Sequence, residues 1–179
     1  FTPSLAFSAG DDRVFIRGVG RQTNTNGSDP GVATYADGIY DSSTSAVSRS
    51  DFFVERVEVL RGPQGTLYGR NSIGGAINVI SKRPTEEYSQ DVRMTVANFS
   101  TISFEGSFAG PLSEKVRAKI GAAFSDQDDG YFENVSGGPS EAGAAQTTYV
   151  EFQLDAELTE NLSLWLRADS QGSDLRNRT

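Results

Sequence analysis

The stretch RVEVLRGPQGTLYGRNSIGGAINVISKRP, Arg56 to Pro84, decides how this chain is read. Gly62, Gly65, Gly69, Gly74 and Gly75 crowd into fourteen positions, which calls for tight turns and close backbone approaches and argues against a long regular helix. Pro63 is tolerated at a first helical position, so one short helical turn is expected over Gln64 to Tyr68. Gly75 to Ser81 then reads as a strand that Lys82-Arg83-Pro84 closes. A glycine-rich loop can cradle phosphate, but the stretch holds no G-K-[ST], and upstream Gly18-Val19-Gly20 leads into a polar loop instead of a helix. Nucleotide binding is set aside on that ground.

Towards the N-terminus the same punctuation continues. Val14 to Arg17, Ala33 to Tyr35 with Ile39-Tyr40, and Val54 to Leu60 each read as short strands bounded by turn residues. Gln22 to Pro30 (QTNTNGSDP) has the composition of a surface loop. Residues 1–84 therefore read as a small, mostly β unit, 85–90 as a polar connection, and 91–179 as something different.

From Asp91 onward five segments alternate in polarity, at about 91–97, 101–109, 115–125, 147–158 and 161–170, and in all five the alternating apolar members, aliphatic or phenylalanine, sit at even numbers. Val92, Met94, Ile102, Phe104, Ile120, Phe124, Phe152, Leu154, Leu164 and Leu166 are examples, while the odd positions carry Arg93, Glu105, Lys119, Glu151, Asp155, Glu157, Arg167 and Asp169. Period-2 alternation gives each sheet one apolar and one polar face. Two environments fit. In a soluble sandwich, the commoner arrangement for such a pattern, the apolar face meets a second sheet. In a transmembrane barrel it meets lipid and the polar face lines a lumen. The short links Gly110 to Glu114 and Thr159-Glu160, against the long polar stretch Asp126 to Gln146, favour the barrel, with short turns on one side and loops on the other. Open strand edges cannot stand in lipid, so further strands are expected beyond Thr179.

Composition removes whole classes of chemistry. The chain has no histidine and no cysteine, so disulfides, thiol chemistry, zinc sites on those ligands and histidine general bases are excluded. Residues 1–84 carry nine basic and eight acidic residues, and residues 85–179 carry seven and sixteen, so the net charge of −8 belongs to the second half. That balance is wrong for a phosphate backbone, and no nucleic-acid partner is expected. No apolar run approaches the roughly 18 residues of a spanning helix. Asp126, Asp128, Asp129, Glu133 and Glu141 lack EF-hand spacing and read as a solvated loop, so no metal site and no cofactor are expected.

Arg56 to Pro84 closely resembles the plug-domain signature of TonB-dependent outer-membrane receptors. Val14 to Gly20 (VFIRGVG) and Asp29 to Tyr40 (DPGVATYADGIY) match further blocks of the same plug in the same order. The resemblance implies an all-β-dominated fold, with a small mixed α/β plug inside a transmembrane antiparallel β-barrel of which about five strands are present. Residues 1–84 would be the later part of the plug and 91–179 the first barrel strands, in a barrel of about 22 strands. It implies no enzyme and no catalytic residue. The implied function is a Gram-negative outer-membrane receptor that imports an extracellular siderophore, cobalamin, haem or oligosaccharide, with outer-membrane lipid and the TonB energy-transducing complex as partners.

By the same resemblance, ligand contacts come from outward plug loops. Gln22, Asn24, Asn26, Asp29, Tyr35, Asp37 and Tyr40 are the candidates, the tyrosines as stacking surfaces with polar tips. Asn26-Gly27 and Asp37-Gly38 are also plain turn signals. Arg17 and Arg61, with Glu58, are candidates for a latch between plug and barrel wall, where Glu105, Glu151, Asp155 and Glu157 could receive the arginines. Local pairing of the arginines with Glu58 or Asp51 is the competing account. A soluble β-rich binding or adhesion module also fits the alternation and the acidity, but not the Arg56 to Pro84 block. A glycan-acting enzyme would need paired carboxylates on facing strands.

Overall fold

The computed structural model describes residues 5–8, 13–20, 30–42, 49–130 and 143–176. The chain forms two compact units, Phe1–Lys82 and Arg83–Thr179.

In the first unit, β1 (Leu5–Ser8), β2 (Arg13–Ile16) and β3 (Val19–Gly20) form a small antiparallel sheet. A second sheet has the order β5-β4-β7-β6, from β4 (Val32–Ala36), β5 (Ile39–Asp41), β6 (Val54–Arg61) and β7 (Gly75–Ser81). Strand β7 lies between β4, which it pairs in parallel, and β6, which it pairs antiparallel. A strand in that position is covered on both faces, and this is why its sequence, Ala76 to Ile80, is nearly continuous in apolar residues. Ile77 and Val79 pack on one face with Val14, Ile16 and Val32; Ala76 packs on the other with Ala33 and Tyr35. The β4–β5 hairpin turns through Asp37 and Gly38, with φ of 52° and 82°, the pair of positive values that a tight two-residue hairpin needs.

The glycine-rich stretch behaves largely as its sequence demands, with one correction. The helical turn α1 spans Gly65–Tyr68 with Gln64 as its cap, so Pro63 stands before the cap and not at the first helical position. The Gln64 N–H is instead satisfied by the Ser72 carbonyl at 2.9 Å, and the Ser72 hydroxyl donates to the Gly69 carbonyl at 2.7 Å. The loop is thus closed on itself across the turn.

The second unit is one antiparallel sheet of five strands, ordered β12-β11-β10-β9-β8. They are β8 (Ser89–Ala97), β9 (Thr101–Ser113), β10 (Val116–Gln127), β11 (Ala144–Thr159) and β12 (Leu162–Arg176). Each is longer than its alternating pattern. Gly110 to Ser113, expected as a link, continues β9, because the ladder absorbs Pro111 at a register shift opposite Val116/Arg117 where a missing N–H is tolerated. Two-residue turns at 114–115 and 160–161 lie at one end of the sheet, and the link 98–100, with the strand ends Gln127 and Ala144, at the other.

Register places even residues opposite even ones except at the shifted end pairs Val116↔Ser113 and Thr159↔Leu162: Phe108, Ile120, Phe152 and Ala168 form one cross-strand row, and Met94, Phe104 and Phe124 another. The apolar face is the exposed one, with Val92 70% and Phe152 49% accessible, whereas Glu151 is 3% and Lys119 4% accessible on the polar face. The sandwich expectation fails on this point, because a soluble sheet buries its apolar face. The strands are those of a partial β-barrel, open here at β8 and β12.

Candidate functional site

The parallel pairing of β4 with β7 builds a row that no local stretch of sequence contains. Tyr40 on β5 faces Tyr35 on β4, Tyr35 faces Asn78 on β7, and Asn78 faces Glu58 on β6. Tyr35 packs edge-on against Tyr40 and Tyr68, with centroids 5.7 and 5.0 Å apart. Its hydroxyl donates to the Tyr68 carbonyl. Burial raises its pKa above the ordinary phenol value, and the neighbouring Tyr40 and Tyr68 add to the rise.

At the β5 end of the row the Arg70 guanidinium lies 5.9 Å from the Tyr40 ring centre, and the Asn71 amide donates to the Tyr40 hydroxyl at 3.0 Å. Asn78 is buried and used at both ends of its amide: its oxygen accepts from the Gly38 N–H at 3.0 Å, and its NH2 donates to Glu58 at 3.1 Å. The Arg56 guanidinium donates to Glu58 at 2.9 Å, and these two hydrogen bonds, that of Arg56 first, hold the Glu58 carboxyl below its ordinary range. Arg56 is correspondingly raised, chiefly by Glu58 and then by Glu55. The patch offers ring faces, hydroxyls, amides and a guanidinium. That donor set suits stacking and hydrogen bonding to a polar ligand. Among the described residues no cluster of three or more metal-ligating side chains occurs.

Of the residues nominated from sequence, Tyr35, Tyr40 and Glu58 meet in this row, with Asp37 at its edge. The Asp37 carboxylate accepts from the Ser81 N–H at 2.7 Å and from the Ser81 hydroxyl at 2.8 Å, so it ties the hairpin turn to the end of β7. Gln22, Asn24, Asn26 and Asp29 lie outside the described residues. Arg17 sits in the β2–β3 turn at φ 54°, and Arg61 ends β6; both are exposed, and neither forms an ion pair with a described residue of its own unit. Local pairing of Arg61 with Glu58 is ruled out by strand geometry, since residues three apart on a strand point to opposite faces. Tyr68, Arg70, Asn71 and Asn78 were not singled out from sequence. Asn78 alone carried a signal, as the one amide in an otherwise apolar strand.

On the polar face of the five-stranded sheet, each of the four acidic residues considered for a latch is paired within its own sheet. Glu105 pairs with Arg93, Glu151 with Lys119 at 2.7 Å, and Glu157 with Arg117 at 2.7 Å. Asp155 lies 3.5 Å from Arg83 and 3.9 Å from Arg117. Glu151 also accepts from the Tyr149 hydroxyl at 2.9 Å. The carboxylates are spread along this network and not set as an isolated facing pair, which removes the motive for a glycan-acting site.

The model of the TonB-dependent receptor plug domain matches residues 2–76. The chain belongs to the TonB-dependent receptors. This receptor segment is 30% identical over 164 residues to the ferric-pyoverdine 358 receptor of Pseudomonas putida, covering 87% of the segment and 20% of that protein. To the catecholate siderophore receptor Fiu of Escherichia coli it is 42% identical over 100 residues, 52% of the segment and 12% of the relative. The crystal structure of the ferric yersiniabactin uptake receptor FyuA from Yersinia pestis superposes with a TM-score of 0.78 at 23% identity, over 96% of the segment and 27% of that chain, a likeness of fold. The pyoverdine outer membrane receptor FpvA of Pseudomonas aeruginosa, solved bound to pyoverdine, gives 0.71 at 25% identity, over 97% and 25%. The segment thus spans about a quarter or less of the length of the relatives it matches. These relatives are receptors by name.

Proposed function

We propose that the protein containing this segment is an outer-membrane importer of a ferric siderophore, with residues 1–84 as the later part of its plug, 85–90 as the connection and 91–179 as its first barrel strands. The observation that carries the membrane part is the inverted polarity of the five strands, apolar outside and charged within. Siderophores, in preference to cobalamin, haem or oligosaccharides, are supported by the names of the relatives.

Orientation follows from the links. The two-residue turns at 114–115 and 160–161 face the periplasm, and 98–100, with the strand ends Gln127 and Ala144, faces outward. Tyr40 is the plug side chain best prepared for a ligand: half-buried, fixed at its hydroxyl by Asn71, and flanked by Arg70, whose guanidinium can meet an anionic chelate. Tyr35 and Asp37 support it from below and beside, and Gln22, Asn24, Asn26 and Asp29 remain proposed contacts on the strength of the sequence. Arg17 and Arg61 serve as the plug side of a releasable latch, Glu58 positioning β6 beside them. The acidic groups of the barrel strands already have partners, so such a latch works by exchange of ion pairs, each buried carboxylate keeping a cation in either state. The TonB complex supplies the work, and no covalent step occurs.

Uptake of radio-iron carried by a catecholate, a pyoverdine and yersiniabactin, in cells whose sole receptor is the full-length protein, tests this. Import of at least one, abolished when TonB is deleted and weakened by Tyr40→Ala, is expected. Binding of all three with no import, or import that persists without TonB, refutes the reading.

A further inference from the structure

Between the last strand of the first unit and β8, the chain crosses the whole five-stranded sheet. The Arg83 guanidinium stacks 3.8 Å from the ring centre of Trp165 on β12 and lies 3.5 Å from Asp155 on β11. Glu86 accepts from Arg117 on β10 at 3.0 Å. The Tyr88 ring fills the space above Gly110 on β9, where an added Cβ would come within 2.4 Å of it, and it stacks on Phe108 at 6.0 Å. Ser89 then starts β8.

Three of the anchor residues belong to one cross-strand row: Trp165 faces Asp155, and Asp155 faces Arg117, which faces Pro111. This row lies at the end of the sheet with the two-residue turns. Four strand spacings of about 4.8 Å make a crossing of roughly 19 Å. Six residues, Arg83 to Tyr88, reach about 20 Å when extended. The crossing therefore leaves little slack beyond the reach of the Arg83 side chain. Thr85 uses what remains, its hydroxyl donating to the Glu87 carbonyl at 2.7 Å and bonding the Ser89 hydroxyl at 3.1 Å.

We propose that Arg83–Tyr88 is a strap that ends the travel of the plug, with Arg83 on Trp165 as its fixed point, so that a pull on the plug extends the chain as far as Arg83 and is not passed to β8. The Glu86–Arg117 pair is exposed on the Glu86 side, at 85%, and is a guide more than an anchor. The stacked Arg83, with Asp155 beside it, is the holding contact. Arg83 is a positioning residue: it touches no ligand and acts through the strand it secures.

The direction of pull rests on the importer reading, but the tests use no cargo, so their failure is separate from failure of the uptake experiment. In the full-length receptor in lipid vesicles, Arg83→Ala and Trp165→Leu should each speed amide exchange at 83–88 roughly tenfold, with Arg83→Lys intermediate because the charge remains and the flat stack is lost. Exchange in β6 and β7 should not change. Pulling single receptors from the N-terminal side of the plug should give an extension that stops at the strap, lengthened by about 20 Å in Arg83→Ala at the same force. Exchange within twofold of the parent in both variants, or equal extensions, overturns the proposal.

Discussion

Substituting Gly75 by alanine should loosen the first unit more than any other glycine change in the Arg56 to Pro84 stretch. Gly75 opens β7 at φ 148°, and a Cβ there would lie 2.2 Å from the Leu60 carbonyl oxygen and 2.9 Å from Cδ1 of Ile16. The first obstacle is backbone and belongs to β6, which pairs with β7 from Arg61↔Gly75 onward, so relief requires the ladder itself to shift. Holding a side-chain residue in a glycine-type conformation costs about 1–3 kcal/mol. Forcing a methyl group into packed surroundings costs about another 1–3 kcal/mol. A total of roughly 2–6 kcal/mol approaches the whole stability margin of an ordinary domain, about 5–15 kcal/mol. Hydrogen exchange of the β6 and β7 amides in the full-length receptor reads this as a fall in local opening free energy. Gly65→Ala is the control: nothing lies within 4 Å of an added Cβ, so the change should be neutral or stabilising by about 0.4–1 kcal/mol. A Gly75→Ala receptor whose β6–β7 opening stays within about 0.5 kcal/mol of the parent would refute the reasoning.

Phe152→Arg, on the exposed apolar face, should destabilise the folded barrel by about 2–4 kcal/mol in urea titrations from lipid vesicles; a neutral result would deny lipid contact at mid-height. Tyr35→Phe leaves the Tyr68 carbonyl without its donor and should cost about 1–2 kcal/mol in α1 and β4 protection, a loss that unchanged exchange there would contradict. Glu58→Gln should flatten the acid limb of β6–β7 stability. The Glu58 carboxyl is held low by Arg56 and Asn78, so its contribution is present at neutral pH and lost as pH falls through and below the ordinary carboxylate range. An acid limb of the same depth in the variant would remove Glu58 from the account.

Most strands of both units were legible because each is a local pattern; the short β1 and β3, Leu5–Ser8 and Val19–Gly20, carry no such pattern and were not. The run Gly75 to Ser81 is nearly continuous in apolar residues, and the even-numbered register from Val92 to Leu166 is a period-2 code that survives pairing because neighbours match even to even everywhere but the shifted pairs Val116↔Ser113 and Thr159↔Leu162. Strand ends were less legible: backbone pairing continues through Gly110-Pro111-Leu112-Ser113 after the hydrophobic alternation has stopped, since the ladder needs N–H and C=O groups and not apolar side chains. Asp37-Gly38 was legible as a turn, but not its bond to Ser81, 44 positions away.

By itself, then, the sequence determined the two-part organisation, the turn-rich character of Arg56 to Pro84, the polarity of each barrel-strand face, and the absence of thiol and imidazole chemistry. Only the tertiary structure decided that the apolar face is the exposed one, because alternation defines two faces without saying which environment each meets. It alone assembled Tyr40, Tyr35, Asn78 and Glu58, since β4 and β7 pair in parallel across more than thirty intervening residues. It also laid Arg83 over Trp165, a pairing set by the width of five strands, a length that no local pattern of residues records.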